Sequence, residues 1–168
     1  ALLHAPLLGI DAVARLRADG QPVTLTLGGD GEETNALKAQ ITRLGLTDAV
    51  RFIGHVKPRY GFSKGRLLVV PSRGDSMPYV VIEAAAAGIP MIAANVGGIP
   101  EIFGSHTSAL FQSNNVDAMA AAIKTALDDI AAARTRAQLL RERIAEHLSQ
   151  DAMVQGVIDG YRNAFAER

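Results

Sequence analysis

The stretch Pro71–Pro90 carries the residues whose types and spacing could do chemistry. Asp75 and Glu83 lie eight positions apart, and Ser76 and Pro78 are typical of the first turn of a helix. We therefore predict a helix that begins with Ser76 as its N-cap. The free amides and the positive dipole end of such a helix favour phosphate binding.

In this predicted helix, the amides of Met77, Tyr79 and Val80 would face a phosphate, and Glu83 would lie one turn beyond Tyr79 on the same face. The rise of ~1.5 Å per residue separates the two by roughly 6 Å, about the width of a sugar ring. A carboxylate can accept two hydrogen bonds and suits a ribose diol. Apolar neighbours predict a mostly buried helix, so we favour a ligand contact for Glu83 over a solvated surface acid. Asp75 is either a turn residue or an acceptor for further hydroxyls.

Short apolar strands alternate with helices along the chain. The predicted strands are Val23–Leu27, Val50–Ile53, Leu67–Val70, Pro90–Ala94 and Ala109–Phe111. The predicted helices are Leu7–Asp19, Glu32–Leu44, Lys57–Gly65, Met77–Ala87, Pro100–Phe103, Val116–Asp129, Ala131–Leu148 and Ala152–Phe165. This alternation predicts the α/β class, with a Rossmann-like parallel sheet covered by helices on both faces and a helical C-terminal tail. We expect residues 1–168 to form a single domain.

Two apolar stripes with four-residue spacing mark the tail, and both are expected to face the core. They comprise Leu140, Ile144 and Leu148, and Met153, Val157, Tyr161 and Phe165.

Ligands of open parallel sheets lie beyond the carboxyl ends of the strands. That rule points to three loops: Gly28–Gly31, Gly54–Val56 and Ser72–Pro78. The first is either a phosphate loop or a turn that needs glycine for its backbone. His55 is more typical of a plain loop residue than of a catalyst.

Composition excludes several classes of protein. The 168 residues have a formal net charge of +0, which argues against a nucleic-acid partner. There is no cysteine, and the four histidines lack metal-ligand spacing, so we expect no metal site. No apolar run is long enough to span a membrane. The start at Ala1 predicts a fragment of a longer protein.

The motifs together resemble the C-terminal half of retaining family 4, or group 1, glycosyltransferases of the GT-B architecture. The resemblance covers nearly the whole chain and rests on Gly28-Gly29-Asp30-Gly31, Arg51-Phe52-Ile53-Gly54-His55-Val56, Pro71-Ser72, Asp75-Ser76-Met77-Pro78, Val81-Ile82-Glu83-Ala84, Ala87-Gly88-Ile89-Pro90 and Val96-Gly97-Gly98-Ile99-Pro100-Glu101.

The resemblance implies a donor-binding domain for a nucleotide-diphosphate sugar, used without a further cofactor. Asp75 and Glu83 would be the catalytic pair, with Glu83 binding the ribose and Asp75 the donor sugar. The amides of Tyr79 and Val80 would bind the diphosphate. The remaining implied donor-site residues are Gly29, Gly54, His55, Val56, Ser72, Met77, Pro78, Gly97 and Gly98. Of these, Gly54, His55 and Val56 would lie against the base, and Gly97 and Gly98 would shape a loop near the cleft.

Two departures from the family's pattern bear on activity. Asp75 stands where the family has a longer Glu, and His4 stands where its diphosphate clamp has a Lys. The clamp's Arg and the N-terminal acceptor domain would precede Ala1. We therefore expect this chain alone to bind donor weakly and not to turn over.

The intact enzyme would transfer a hexose to a glycan or lipid-linked acceptor, in bacterial polysaccharide assembly in the cytoplasm or peripherally at the inner membrane face. Two alternatives keep the architecture. One is a GT-B sugar-nucleotide epimerase or phosphorylase, although no lysine has an obvious pyridoxal phosphate motif. The other is a degenerate, non-catalytic binding or scaffold module.

Overall fold

Strands and helices alternate in the predicted order. The computed structural model describes residues 6–74, 76–148, 154–155, 157–159 and 162. Within these ranges the strands are β1 (Leu25–Leu27), β2 (Val50–Phe52), β3 (Leu68–Val70), β4 (Met91–Ala94) and β5 (Leu110–Phe111). The helices are α1 (Pro6–Ala18), α2 (Thr34–Arg43), α3 (Pro58–Phe62), α4 (Tyr79–Ala86), α5 (Ile99–Phe103), α6 (Val116–Asp128) and α7 (Ile130–His147), with a 3-10 turn at Thr107–Ala109. The predicted α/β class is confirmed.

The strands pair in parallel within two sheets. One sheet joins β1 to β2, with Leu25 opposite Val50. The other has the order β3-β4-β5, with Leu68 opposite Met91. We predicted one parallel sheet. The structure has two sheets instead, and β1 and β3 are the strands at their facing edges. Apolar runs identify strands, but they do not say which strands pair.

Helix α1 connects the two sheets through packing. Its Ile10 and Val13 belong to the hydrophobic core of β1 and β2. Its Ala12 and Leu16 belong to the larger core of β3, β4 and β5. The two cores therefore share one helix, with successive side chains of α1 on either side.

Packing of the tail agrees with the prediction in α7 and disagrees beyond it. Leu140 and Ile144 are buried and Leu148 packs against the same core, which confirms the first stripe. Val157 is 56% exposed, so the core prediction is wrong there. Helical spacing identifies an apolar stripe but does not specify what covers it. The other three residues of that stripe, Met153, Tyr161 and Phe165, lie outside the described residues.

None of the helices in the described residues combines enough length with enough apolar character to cross a bilayer.

Candidate functional site

Two glycine loops meet where β1 and β2 end. The Gly29 amide donates a hydrogen bond to the Gly54 carbonyl oxygen at 2.7 Å. The His55 amide donates to Oδ2 of Asp30 at 3.0 Å. Gly54 has a φ of +66°, in the left-handed region that favours glycine. Parallel pairing of the strands thus places both loops at one edge, where Asp30 holds them together.

Sequence reasoning did not include Asp30 among the site residues. Its carboxylate fixes the backbone of His55, whose side chain is exposed. The signal in the sequence that could have identified Asp30 is its position directly after a glycine pair at the end of a strand. Without the fold, nothing indicated that its partner would be an amide 25 positions away.

A shallow hollow joins these loops to the helix that follows β3. Its wall includes Val80, in the first turn of α4. The other lining residues are Gly28, Gly29, His55, Val56, Pro58, Gly61 and Phe62. The structure therefore brings together residues of two predicted loops and the start of α4, whereas their role in donor binding stays a prediction.

Helix α4 begins later than predicted, and the assignment of Ser76 as its N-cap is wrong. The N-cap is Pro78, whose carbonyl accepts from the Val81 amide at 3.0 Å. A residue before proline is disfavoured in the helical region, so Met77 cannot extend the helix backwards. The amides of Tyr79 and Val80 come before this first intrahelical donor. The first amides of any helix have no carbonyl acceptor within that helix. The Met77 amide lies outside the helix.

Glu83 is exposed, which corrects the expectation that its helix would be mostly buried. The buried face of α4 consists of Val81, Ala84 and Ala85, each 0% exposed. That face leaves the positions of Tyr79 and Glu83 on the open side, and Tyr79 is 80% exposed. The helix period places the two on one face, as predicted, so the solvent-facing geometry leaves Glu83 accessible to a ligand. Burial of the helix therefore gives no reason to expect that Glu83 contacts a ligand.

The loop before α5 packs tightly against the segment before α4. A β-carbon on Gly98 would overlap the Ser76 carbonyl oxygen. From α7, Arg143 donates through Nε to the Ile102 carbonyl at 3.2 Å and through Nη2 to the Glu101 carbonyl at 3.1 Å. Gly98 therefore helps define where the chain enters α4, and Arg143 holds α5 in place. Gly97, beside it, is exposed and has a φ of +54°.

Ser72 is 1% exposed, so it does not form an open contact surface, and its hydroxyl has no hydrogen-bond partner among the residues described. Asp75 and His4 lie outside the described residues, so their predicted roles stay predictions.

Replacing Gly98 by alanine is expected to displace Ser76–Pro78 and to destabilise the fold by roughly 1–3 kcal/mol, because the added methyl group meets backbone. Urea unfolding measures the loss. Gly31→Ala is the matched control, since a β-carbon there has open space within 4 Å. Equal stability of the two variants would contradict this packing.

Replacing Asp30 by alanine is expected to speed hydrogen exchange of the His55 amide, because its acceptor is removed. Asp30→Asn retains an acceptor oxygen and should stay close to the parent. NMR exchange rates test this directly, and an unchanged His55 rate in Asp30→Ala would contradict the contact.

The chain matches the family described as Glycosyl transferases group 1 over residues 4–129. It is 34% identical over 139 residues to the glycogen synthase of Mycobacterium tuberculosis, covering 80% of this chain and 34% of that protein. It is 32% identical over 169 residues to the D-inositol 3-phosphate glycosyltransferase of Streptomyces avermitilis, covering 97% and 36%.

Among solved structures, HepE of Anabaena in complex with UDP-glucose superposes with a TM-score of 0.81 and 25% identity, covering 95% of this chain and 45% of that one. The chain thus spans about a third of the curated relatives it matches, at 34% and 36% of their lengths. By sequence and by fold, it belongs to the group 1 glycosyltransferases.

Proposed function

We propose that this chain is the donor-binding part of a glycosyltransferase that moves a sugar from a nucleotide-diphosphate sugar to a hydroxylated acceptor. The observation that carries the proposal is the placement of exposed Glu83 on the same open face of α4 as Tyr79, one turn beyond it. The start of α4 also borders the hollow lined by the loops of Gly29 and His55. In a nucleoside diphosphate, the diphosphate, the ribose and the base are joined in that order. They therefore need neighbouring contacts: amides for the diphosphate, a carboxylate for the ribose and a hollow for the base.

The diphosphate would lie against the amides of Tyr79 and Val80. These two amides come before the first intrahelical donor, and the helix dipole adds positive potential there. As the bond between the sugar and the diphosphate breaks, negative charge grows on the leaving oxygen. Donors fixed before the reaction stabilise that charge without reorganisation, which lowers the barrier.

The ribose would lie beside Glu83, whose carboxylate can accept from both hydroxyls. The base would occupy the hollow at His55 and Val56. Asp30 acts here as a positioning residue, because its carboxylate holds the His55 backbone. Asp75 would accept from hydroxyls of the donor sugar.

A second part of the protein would bind the acceptor and complete the reacting centre. Support comes from the relatives, which extend well beyond the matched region. The names of two relatives, a glycogen synthase and an inositol phosphate glycosyltransferase, suggest a polyhydroxylated acceptor. We propose that the reaction takes place in the cytoplasm. Retention of the anomeric configuration is a further prediction, made from the family resemblance.

A double comparison tests the ribose contact. We would titrate the chain with UDP and 2′-deoxy-UDP, and repeat both titrations with Glu83→Ala, following NMR shifts at high ligand concentration. A charged hydrogen bond is worth about 1.5–3 kcal/mol, so UDP should bind the variant at least ~10-fold more weakly. The 2′-deoxy compound keeps only the 3′-hydroxyl, so the same substitution should weaken its binding by a smaller factor than that of UDP.

Glu142→Ala is the matched control, because it removes an exposed carboxylate from α7, a helix that contributes none of the residues lining the hollow. An equal loss in Glu142→Ala, or full UDP affinity in Glu83→Ala, would contradict the assignment. GDP and ADP in the same titrations identify the preferred base. No binding of any of the three nucleotides would favour the non-catalytic module.

A further inference from the structure

The half-buried guanidinium of Arg143, on α7, binds the carboxyl end of α5. Its Nε donates to the Ile102 carbonyl at 3.2 Å, and its Nη2 donates to the Glu101 carbonyl at 3.1 Å. The last carbonyls of a helix have no donor within that helix, and Arg143 supplies two of them. Gly104 permits this close approach, because a β-carbon there would overlap the Cζ atom of Arg143.

Helix α5 connects this contact to the segment that leads into α4. The Ile102 amide donates to the Gly98 carbonyl at 3.2 Å, while the Ile102 carbonyl accepts from Arg143. Gly98 in turn lies against the Ser76 carbonyl, which a β-carbon would overlap. Since α5 has five residues, its two ends are only ~7.5 Å apart at the usual helical rise. Arg143 is therefore linked to Ser76 through Ile102 and Gly98.

Apolar packing alone leaves α5 free to shift along its own axis. Ile99, Ile102 and Phe103 are at most 1% exposed, which fixes the face that α5 buries. Apolar burial is non-directional, whereas two hydrogen bonds from a planar guanidinium specify direction as well as distance. Arg143 therefore resists an axial shift of α5, and such a shift would move Gly98 relative to Ser76.

The helix that carries Arg143 also lies against the carboxyl end of α4. A β-carbon on Gly88, just beyond that end, would lie 3.5 Å from Oε1 of Gln138 and 3.6 Å from Cδ of Arg141. Gln138 and Arg141 both belong to α7. One helix thus supports α4 directly at its carboxyl end and, through α5, at its amino end.

From these contacts we infer that Arg143 is a positioning residue of the donor site. It holds α5 so that Gly98 keeps Ser76 in place, and the amides of Tyr79 and Val80 follow directly in the chain. The inference rests on the proposed function, in which those two amides bind a diphosphate. Misplacement of a binding group by about 1 Å is enough to impair a site, so a residue that touches no ligand can still determine affinity.

The first test needs no ligand. We would compare the amide shifts of the parent chain, Arg143→Ala and Arg134→Ala, which removes an exposed arginine from the same helix. Arg143→Ala should move the amide signals of Gly98, Ser76 and Tyr79, whereas Arg134→Ala should leave them in place. Arg143→Lys keeps the charge but not the fork of donors, so it should move the same signals and replaces Arg143→Ala where that variant does not fold.

The second test measures UDP affinity by titration. UDP should bind Arg143→Ala about three- to ten-fold more weakly than the parent chain. Arg134→Gly is the control for stability, because glycine inside an exposed helix weakens the fold without removing a hydrogen bond to α5. A loss that reflected stability alone would appear in this control as well.

Three results would overturn the inference: shift changes confined to residues 101–104, equal UDP affinity of the parent chain and Arg143→Ala, or an equal loss of affinity in Arg134→Gly. Failure of the parent chain to bind UDP would instead count against the proposed function. The shifts measured without ligand would then still decide whether Arg143 positions the start of α4.

Discussion

Parallel pairing of the strands is the constraint on which the candidate site depends. Because β1 and β2 run the same way, the loops after Leu27 and Phe52 open at one edge. The bond from the Gly29 amide to the Gly54 carbonyl and the contact of Asp30 with His55 are consequences of that arrangement. An antiparallel pair would place these loops at opposite ends of the sheet.

The second determinant is the way in which α4 is anchored. Val81, Ala84 and Ala85 bury one face completely, which fixes the rotation of the helix and leaves Glu83 on the open face. Pro78 determines where the helix starts, and Gly98 allows the loop before α5 to approach that start closely. Packing thus leaves the amides of the first turn and the Glu83 carboxylate on the open side of the helix, where the proposed ligand would reach them.

Much of this fold could be predicted from the sequence, because apolar runs and helical spacing are local signals. Local signals also explain the errors. Ser76 has the side chain of a good cap, but Pro78 restricts the residue before it. Glu83 has apolar neighbours in sequence, but the helix period sends them to the opposite face. Pairing across the chain carries no local signal, so the contact of Asp30 with His55 and the separation of β1 from β3 became visible only in the structure.

The proposed site for a nucleoside diphosphate lies where α4 begins. Mapping the amide shifts of the chain during a UDP titration tests it most directly, since amide shifts report where the ligand lies. Binding at this site should give saturable shifts at Tyr79 and Val80, with further shifts at Gly29 and His55. Saturable shifts elsewhere in the chain, with none at Tyr79 and Val80, would contradict binding at this site.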